Sequence, residues 1–313
     1  MAKHSKNIVL ISGGVGGAKL AEGLNTLNNI NLSVIGNIGD DEEFHGLRVS
    51  PDIDTLIYTL SEMVNRDQGW GLKDDTYKSL SILRKLGCET WMSLGDLDFG
   101  LHIYRQSRLK KNHRPSNITK DIARKLRIAA KIILPTDDKV RTRVKTKDGW
   151  ISFQEYFVKK RCSPKVLKLS YAGIKSAKVT KEAERAITDA ALIIIAPSNP
   201  LVSIKPIIEI PGLKAIMRKN IKKVISVSPL IEGKAVKGPT RKMLIQLGIR
   251  PDSFSCMQLY KDICKSFILD SSDKFLAKKF NAAKQKSIFT DTLMTSLADK
   301  RRLAKFIINL PID

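Results

Sequence analysis

The stretch NIVLISGGVGGAKLAEGL (residues 7–24) decides the fold class, because a short apolar run leads through clustered glycines into a segment with helical spacing. The run 7–12 is typical of a strand covered on both faces of a parallel sheet, and a helix is expected from about Ala18 to Leu27. The turn between them either only tightens the chain or lets the backbone approach a phosphate. It matches neither G-x-G-x-x-G nor the P-loop pattern, so its four glycines leave both possibilities open: Gly13, Gly14, Gly16 and Gly17.

The alternation of strands and helices continues along the chain and predicts an α/β fold, a Rossmann-like, doubly wound, mostly parallel sheet. Further strands are expected at 31–38, 190–196, 222–228 and 266–270. Helices are expected at 52–64, 74–87, 95–111, 117–128 and 296–310.

One segment departs from this alternation. Residues 131–170 contain the alternating run VRTRVKT, a D-G turn and an aromatic-rich stretch, which indicate a small antiparallel insertion. We therefore expect a single domain over 1–313 that carries a small additional subdomain at 131–170.

Rigid polar loops follow the predicted strands, at the ends where ligands bind in open α/β sheets. PSNP (197–200) places Ser198 and Asn199 between two prolines, and PLIEGKAVKGPT (229–240) carries glycines and two lysines. Taken singly, each is also compatible with an ordinary turn or a solvated surface loop. Together they predict loops that line one crevice.

The segment NIGDDEEFHGLRVSPDIDT (37–55) concentrates acidic residues in a chain with few acids: Asp40, Asp41, Asp52 and Asp54. Clustered carboxylates repel one another unless a cation or open water separates them, and Mg²⁺ accepts one or two carboxylates together with phosphate oxygens. The alternative is a solvated acidic loop in which Asp52 caps a helix. SLGDLDFG (93–100) offers a further Gly-Asp turn, whose simpler interpretation is another helix cap.

Composition restricts the function classes. The longest apolar stretch, 190–197, is too short to span a bilayer, and the four cysteines form no C-x-x-C pair, so we expect a cytoplasmic protein with reduced thiols. The 55 Lys and Arg against 31 Asp and Glu give a formal charge of +24, which attracts anionic ligands. A nucleic-acid partner is disfavoured, because the basic clusters 108–114 and 217–223 lack aromatic residues for base stacking.

Seven blocks, in order, resemble the 2-phospho-L-lactate transferase family. They extend over nearly the whole chain: SGGVGGAKLAEGL (12–24), NIGDDEEFHGLRVSPDIDTLIYTL (37–60), GWGLKDDT (69–76), SLGDLDFGLHIYR (93–105), IAPSNPLVSIKPIIEIPG (195–212), VSPLIEGKAVKGP (227–239) and DTLMTS (291–296).

The resemblance implies an Mg²⁺-dependent enzyme of coenzyme F-420 biosynthesis. Such an enzyme transfers a phospholactyl or phosphoenolpyruvyl unit from a guanosine-diphosphate-linked donor to the deazaflavin alcohol FO and releases GMP. It also implies a Rossmann-like core and a homodimer.

Carried onto this sequence, the resemblance places Gly13 to Gly17 against the donor phosphates. It places Asp40 and Asp54 near the metal and the acceptor, with Asp54 contacting FO. The guanosine diphosphate is expected near Ser198, Asn199, Ser228 and the loop Gly233–Gly238, and further site candidates are Asn37, Ser93 and Asp96.

Two points stay open at this stage. The glycine loop GGVGGAK, with Lys19 and no proline, resembles the actinobacterial and some archaeal branches of the family rather than the methanogen GGTGTPK form, which leaves the three-carbon unit of the donor undecided between lactyl and enolpyruvyl. The alternative function is that of a nucleotide-sugar-binding regulatory protein of the gluconeogenesis-factor type, which shares the fold. That type carries a Gly-Gly-Ser-Ser-Gly-Arg stretch where this chain has its acidic segment.

Overall fold

A seven-stranded sheet forms the centre of the structure, a computed structural model that describes residues 5–311. The strands, including those of three smaller sheets, are in chain order β1 (Lys6–Ser12), β2 (Ile30–Gly36), β3 (Glu42–Phe44), β4 (Leu47–Val49), β5 (Lys131–Ile133), β6 (Arg141–Thr146), β7 (Gly149–Ser152), β8 (Lys168–Ala172), β9 (Leu192–Ile195), β10 (Val224–Val227), β11 (Leu230–Ile231), β12 (Lys234–Ala235), β13 (Ser266–Asp270) and β14 (Lys286–Thr290).

Helices connect these strands. They are α1 (Gly14–Asn25), α2 (Pro51–Leu60), α3 (Lys78–Lys85), α4 (Asp96–Lys110), α5 (Pro115–Lys125), α6 (Lys181–Thr188), α7 (Lys205–Ile208), α8 (Leu213–Lys219), α9 (Thr240–Gln246), α10 (Ser253–Met257), α11 (Ala277–Ala282) and α12 (Leu297–Ile308). Among residues 5–311, no helix combines the length and apolarity that a bilayer span requires.

The central sheet has the strand order β14-β13-β10-β9-β1-β2-β5, and every neighbouring pair is parallel. The chain starts at β1, moves outward through β2 to β5, and returns to β9 on the other side of β1. This reversal confirms the doubly wound α/β prediction. It also opens a crevice beyond the carboxyl ends of β1 and β9, where such sheets bind ligands.

Burial of the central strands explains why the apolar runs predicted them. Each residue of β9 and β10 is buried, as expected for strands with helices on both faces. β1 pairs with β9 from Ile8↔Leu192 to Ile11↔Ile195, so both strands end at the same edge of the sheet.

The antiparallel insertion consists of β6, β7 and β8 in the order β7-β6-β8, and it runs from Arg141 to Ala172. The predicted bounds of 131–170 were wrong at the first end: Lys131–Ile133 pairs with β2 as the edge strand of the central sheet. The amide of Thr142 donates to the carbonyl oxygen of Gly39 at 2.6 Å, which attaches the insertion to the acidic segment.

Candidate active site

A cavity of about 650 Å³ lies at the carboxyl edge of the central strands. Loops that are far apart in the sequence line it together: the glycine loop, the acidic segment, the loops after β9 and β10, the insertion, and residues 292–294. The predicted site residues in its lining are Gly13, Gly14, Gly16, Asp40, Asp54, Ser93, Ser198, Asn199, Ser228 and Gly238.

The glycine loop needs glycine at two of its positions for different reasons. Gly14 has a φ of +62°, a conformation that side chains with a Cβ disfavour. At Gly16 a Cβ would lie 2.4 Å from the carbonyl oxygen of Pro197, so the loop after β9 packs directly on this backbone. The two loops therefore form one rigid wall of the cavity.

Two amides of this wall already have partners. Gly13 N donates to Ser198 Oγ at 3.4 Å, while Ser198 Oγ donates to Gly13 O at 2.6 Å. The Gly14 amide donates to the Asp52 carboxylate. Helix α1 begins at Gly14, and the remaining amides of its first turn have no intrahelical acceptor. The amides that remain available to an anion belong to Val15 and Gly16, which both line the cavity.

Asp40 and Asp52 are two buried carboxylates in the cavity lining. Burial raises the pKa of Asp40 well above its usual value, and the neighbouring Asp52 raises it further. Burial likewise raises the pKa of Asp52 to about 6, although hydrogen bonds from Asn37 and from the Gly14 amide lower it. Asp40 Oδ1 is buried without a hydrogen-bond partner. The pair therefore presents carboxylate oxygens that lack a counter-charge.

Asn37 holds Asp52 in place from beneath the cavity. It is fully buried, and its Nδ2 donates to Asp52 Oδ2 at 2.8 Å and to Val202 O at 3.2 Å. Its Oδ1 accepts the Gly39 amide at 2.8 Å. Asn37 is not in the lining, so it positions a site residue rather than facing a ligand.

Asp54 lies two residues after Asp52 on α2, on a different side of the helix, and has a different environment. Its carboxylate binds the buried guanidinium of Arg105 through Nη2, and through Nη1 at 3.3 Å. Ser50 N donates to Asp54 Oδ2 at 3.1 Å. Because both oxygens already accept hydrogen bonds, Asp54 is less available to a metal than Asp40 and Asp52 are.

Three of the four buried residues of α4 are polar or charged. Asp98, His102 and Arg105 follow one another at helical spacing and are all buried, and Asp98 and His102 line the cavity. Burial raises the pKa of Asp98 to about 6, although Tyr58 donates to its Oδ1 at 2.6 Å. Burial also lowers the pKa of His102 to about 4, so its imidazole is neutral at physiological pH.

The loops after β9 and β10 use their polar side chains to hold their own shape. Asn199 Oδ1 accepts the amides of Leu201 at 2.9 Å and Val202 at 3.4 Å, and so caps the turn that follows. Ser228 Oγ accepts the Leu230 amide at 3.1 Å and lies 3.1 Å from both Leu230 O and Ser253 Oγ, to one of which it donates. These residues line the cavity as predicted, and their side chains also fix the loop geometry.

Four predicted site residues are not in the lining. Asn37 has been described, and Gly17 packs against Ser12 and Ser198. Gly233 forms the tight turn between β11 and β12. Asp96 accepts the amides of Lys78 at 3.1 Å and Ser79 at 2.9 Å, so it holds the start of α3.

Sequence reasoning did not assign several other lining residues to the site. Tyr58, Trp70 and Ser203 lie in the quoted blocks without having been singled out, and the insertion contributes Phe153, Gln154 and Phe157. His102 carried a usable signal, because Asp98, His102 and Arg105 share one helix face.

Comparison with known proteins decides the family. Residues 8–305 match the family described as 2-phospho-L-lactate transferase CofD. The chain belongs to the 2-phospho-L-lactate transferase family. The 2-phospho-L-lactate transferase of Methanocaldococcus jannaschii is 37% identical over 306 residues, which cover 96% of this chain and 97% of that protein. In Mycobacterium leprae, the protein named phosphoenolpyruvate transferase is 33% identical over 286 residues, covering 84% of this chain and 86% of that protein.

A solved structure supports the fold independently. Protein BH3568 from Bacillus halodurans shares it with a TM-score of 0.64 at 16% identity, covering 97% of this chain and 100% of that chain. Membership of the 2-phospho-L-lactate transferase family makes this chain a transferase of coenzyme F-420 biosynthesis. The regulatory alternative is not favoured, since the family match extends over almost the whole chain.

Proposed function

We propose that this member of the 2-phospho-L-lactate transferase family moves a phospholactyl or phosphoenolpyruvyl group from a guanosine-diphosphate-linked donor to FO and releases GMP. The observation that carries the proposal is the convergence of the glycine loop, the acidic segment and the loops after β9 and β10 on one cavity. One wall offers free amides and small hydroxyls to a diphosphate, and the other offers carboxylates and aromatic rings.

The reaction is an attack by the terminal ribityl hydroxyl of FO on the phosphorus that carries the three-carbon unit. The new O–P bond forms as the bond to the GMP phosphate breaks, and the hydroxyl proton leaves to a base or to solvent. Fixed amide donors at the helix start stabilise the developing negative charge. Asp54, held by Arg105, orients the hydroxyl, and Asp98, whose pKa is raised to about 6 by burial, accepts the proton.

Mg²⁺ fits Asp40 and Asp52. The unpartnered Asp40 Oδ1 and the raised pKa values of both groups indicate carboxylates that lack a cation. No cluster of three or more His, Cys, Asp or Glu within residues 5–311 makes a complete protein cage, and Mg²⁺ usually takes one or two carboxylates plus substrate oxygens. When bound, the ion would neutralise charge on the diphosphate. We therefore propose Asp40 and Asp52 as the metal ligands in place of the predicted Asp40 and Asp54, because the Asp54 carboxylate is already paired with the Arg105 guanidinium.

The aromatic side of the cavity suits the planar deazaflavin. Phe153 and Phe157 stack with ring centroids 5.5 Å apart at an interplanar angle of 6°, and Trp70 lies in the same lining. Stacked rings favour a flat aromatic ligand beside them. The relatives bear both transferase names, so the three-carbon unit is proposed as either lactyl or enolpyruvyl. We also propose that the protein is cytoplasmic and forms a homodimer.

The test is direct. The purified protein is incubated with FO, Mg²⁺ and each guanylyl donor in turn, and products are detected by mass spectrometry. A phospholactyl or phosphoenolpyruvyl ester of FO, with one GMP per turnover, is the expected result. Failure to form either ester from fresh donors would overturn the proposed function.

A further inference from the structure

His102 has a nitrogen for which the protein provides no partner. The residue is 1% exposed and lines the cavity, and its Nε2 is buried without a hydrogen bond. Its other nitrogen, Nδ1, lies 3.2 Å from Arg105 Nη1. An unpaired buried N–H carries a free-energy penalty that a ligand oxygen removes.

Arg105 determines the tautomer of His102. A guanidinium has donors and no acceptor, so Nδ1 is the acceptor in a hydrogen bond with Nη1. Nη1 shares its two hydrogens among Nδ1, Arg48 O at 3.2 Å and Asp54 Oδ2 at 3.3 Å. The neutral ring then carries its proton on Nε2. Asp54 Oδ2 lies 3.8 Å from Nδ1, beyond hydrogen-bond distance, and Arg105 takes both of its oxygens. His102 is therefore a fixed N–H donor.

The surroundings of this donor select a hydroxyl group over an anion. Asp98 lies one helical turn from His102 on the same face and lines the same cavity. A carboxylate ligand would be repelled by Asp98. A hydroxyl can accept from an N–H and donate to a carboxylate at the same time, so both neighbours are satisfied.

We propose that His102 binds the acceptor alcohol, donating from Nε2–H to a hydroxyl oxygen of its polyhydroxy side chain. The inference rests on the proposed function, since it assigns a residue to the FO half of the reaction. His102 thereby contributes to the choice of a polyhydroxylated acceptor over a flat ring with an alkyl chain.

The first experiment measures KM for FO and for the donor in wild type, His102→Leu, His102→Gln and Ile103→Ala. Loss of one hydrogen bond should raise KM for FO by about tenfold in His102→Leu and leave KM for the donor within about twofold. His102→Gln keeps an N–H donor, so its KM for FO should rise less than that of His102→Leu. Ile103 is exposed on the same helix, so Ile103→Ala should behave as wild type.

The second experiment uses a deazaflavin that carries an alkyl chain in place of the ribityl chain, as a competitive inhibitor. Its inhibition constant should be the same in wild type and His102→Leu, because it has no hydroxyl to lose. Equal penalties for FO and this analogue, or parallel rises in both substrate KM values, would overturn the inference and indicate a structural role.

A ¹⁵N NMR spectrum of histidine-labelled wild type supplies a readout that does not depend on a variant's folding. We expect His102 to be protonated on Nε2, with that signal shifting on addition of FO but not of the alkyl analogue. A proton on Nδ1, or no shift with FO, contradicts the inference. Turnover by wild type with unchanged kinetics in His102→Leu rejects the inference alone, whereas no turnover by wild type rejects the proposed function with it.

Discussion

At the scale of single residues, the ion pair with Arg105 gives Asp54 a structural role besides its proposed role in the site. Asp54→Asn leaves a buried guanidinium without its counter-charge, which typically costs about 3 kcal/mol or more. We expect a destabilised protein in urea unfolding, together with a large fall in turnover. Glu89→Gln, which breaks the exposed pair with Lys159, serves as the control and should unfold like wild type. Unchanged stability of Asp54→Asn would contradict the role of the ion pair.

The buried Asp52 carboxylate predicts that the stability of the folded protein depends on pH and on Mg²⁺. Burial raises its pKa from 3.8 to about 6, so between these values the folded protein binds a proton that the unfolded chain has released. Metal-free stability should therefore fall as pH rises through this window and level off above it. Mg²⁺ needs the ionised carboxylates, so the rise in Tm that it causes should be larger at about pH 7.5 than at about pH 5.

The matched variants for this prediction are Asp52→Asn, which should lose the Mg²⁺-induced shift, and Asp148→Asn, which should keep it. Asp148 lies at the exposed turn between β6 and β7, remote in sequence from the acidic segment. Thermal unfolding with and without Mg²⁺ across the pH range measures both. A shift that is independent of pH, or that survives in Asp52→Asn, would contradict the metal assignment.

The sequence could nominate the acidic residues but not rank them. Asp40, Asp52 and Asp54 lie in one short segment, and the sequence offered helix capping as the alternative for Asp52. In the fold the N-cap of α2 is Ser50, and Asp52 turns inward toward Asn37 and the Gly14 amide. The partner that distinguishes Asp54 is Arg105, which lies 51 positions away on α4 and reaches α2 only in the folded chain.

At the scale of elements, the contact between the glycine loop and the loop after β9 gives a matched pair of glycine substitutions. Gly16→Ala places a Cβ 2.4 Å from Pro197 O, so backbone must move. We expect a loss of about 1–3 kcal/mol in stability and a rise of about tenfold in KM for the donor. Gly100→Ala, on α4 with open space around its Cβ, should gain about 0.5–1 kcal/mol. Urea unfolding and donor kinetics test both, and equal behaviour would contradict the close packing.

The C-terminal helix α12 docks on α1 through a buried ion pair. Lys300 Nζ lies 2.6 Å from Glu22 Oε2, and Arg66 Nη1 lies 2.8 Å from Glu22 Oε1. Glu22→Gln leaves the buried Lys300 unpaired and should cost about 3 kcal/mol. Lys300→Met leaves Glu22 with Arg66, so the loss should be smaller. The reverse order of stabilities in urea would show that the pair does not hold α12.

The position of a strand in the central sheet explains whether the sequence predicted it. The five inner strands are largely buried and apolar, and each was expected within a few residues of its bounds. The two edge strands, β5 and β14, were not expected as strands of this sheet. Each pairs on one side only, and the run KSIFT of β14 has no fully buried residue, so no continuous apolar run marks it.

At the scale of the whole molecule, the excess of positive charge acts more strongly on the proposed donor, which carries a diphosphate, than on FO, which carries no phosphate. The formal charge of +24 creates a field that attracts a diphosphate ester, and salt screens this attraction. We expect kcat/KM for the donor to fall steeply between about 0.02 and 0.5 M KCl, because the Debye length shortens several-fold over this range. KM for FO at saturating donor should change little.

The control for this prediction is a filter-binding titration of a duplex DNA and a single-stranded RNA at the same two salt concentrations. Any binding at low salt that disappears at high salt is the non-specific attraction expected of a basic surface. Retention of nucleic acid at high salt, together with a donor kcat/KM that does not respond to salt, would mean that the charge serves a nucleic-acid partner and not the donor. Loss of nucleic acid at high salt, together with a donor kcat/KM that falls with salt, would mean that the electrostatic field of the whole protein attracts the donor. No single lysine beside the cavity provides such a field alone.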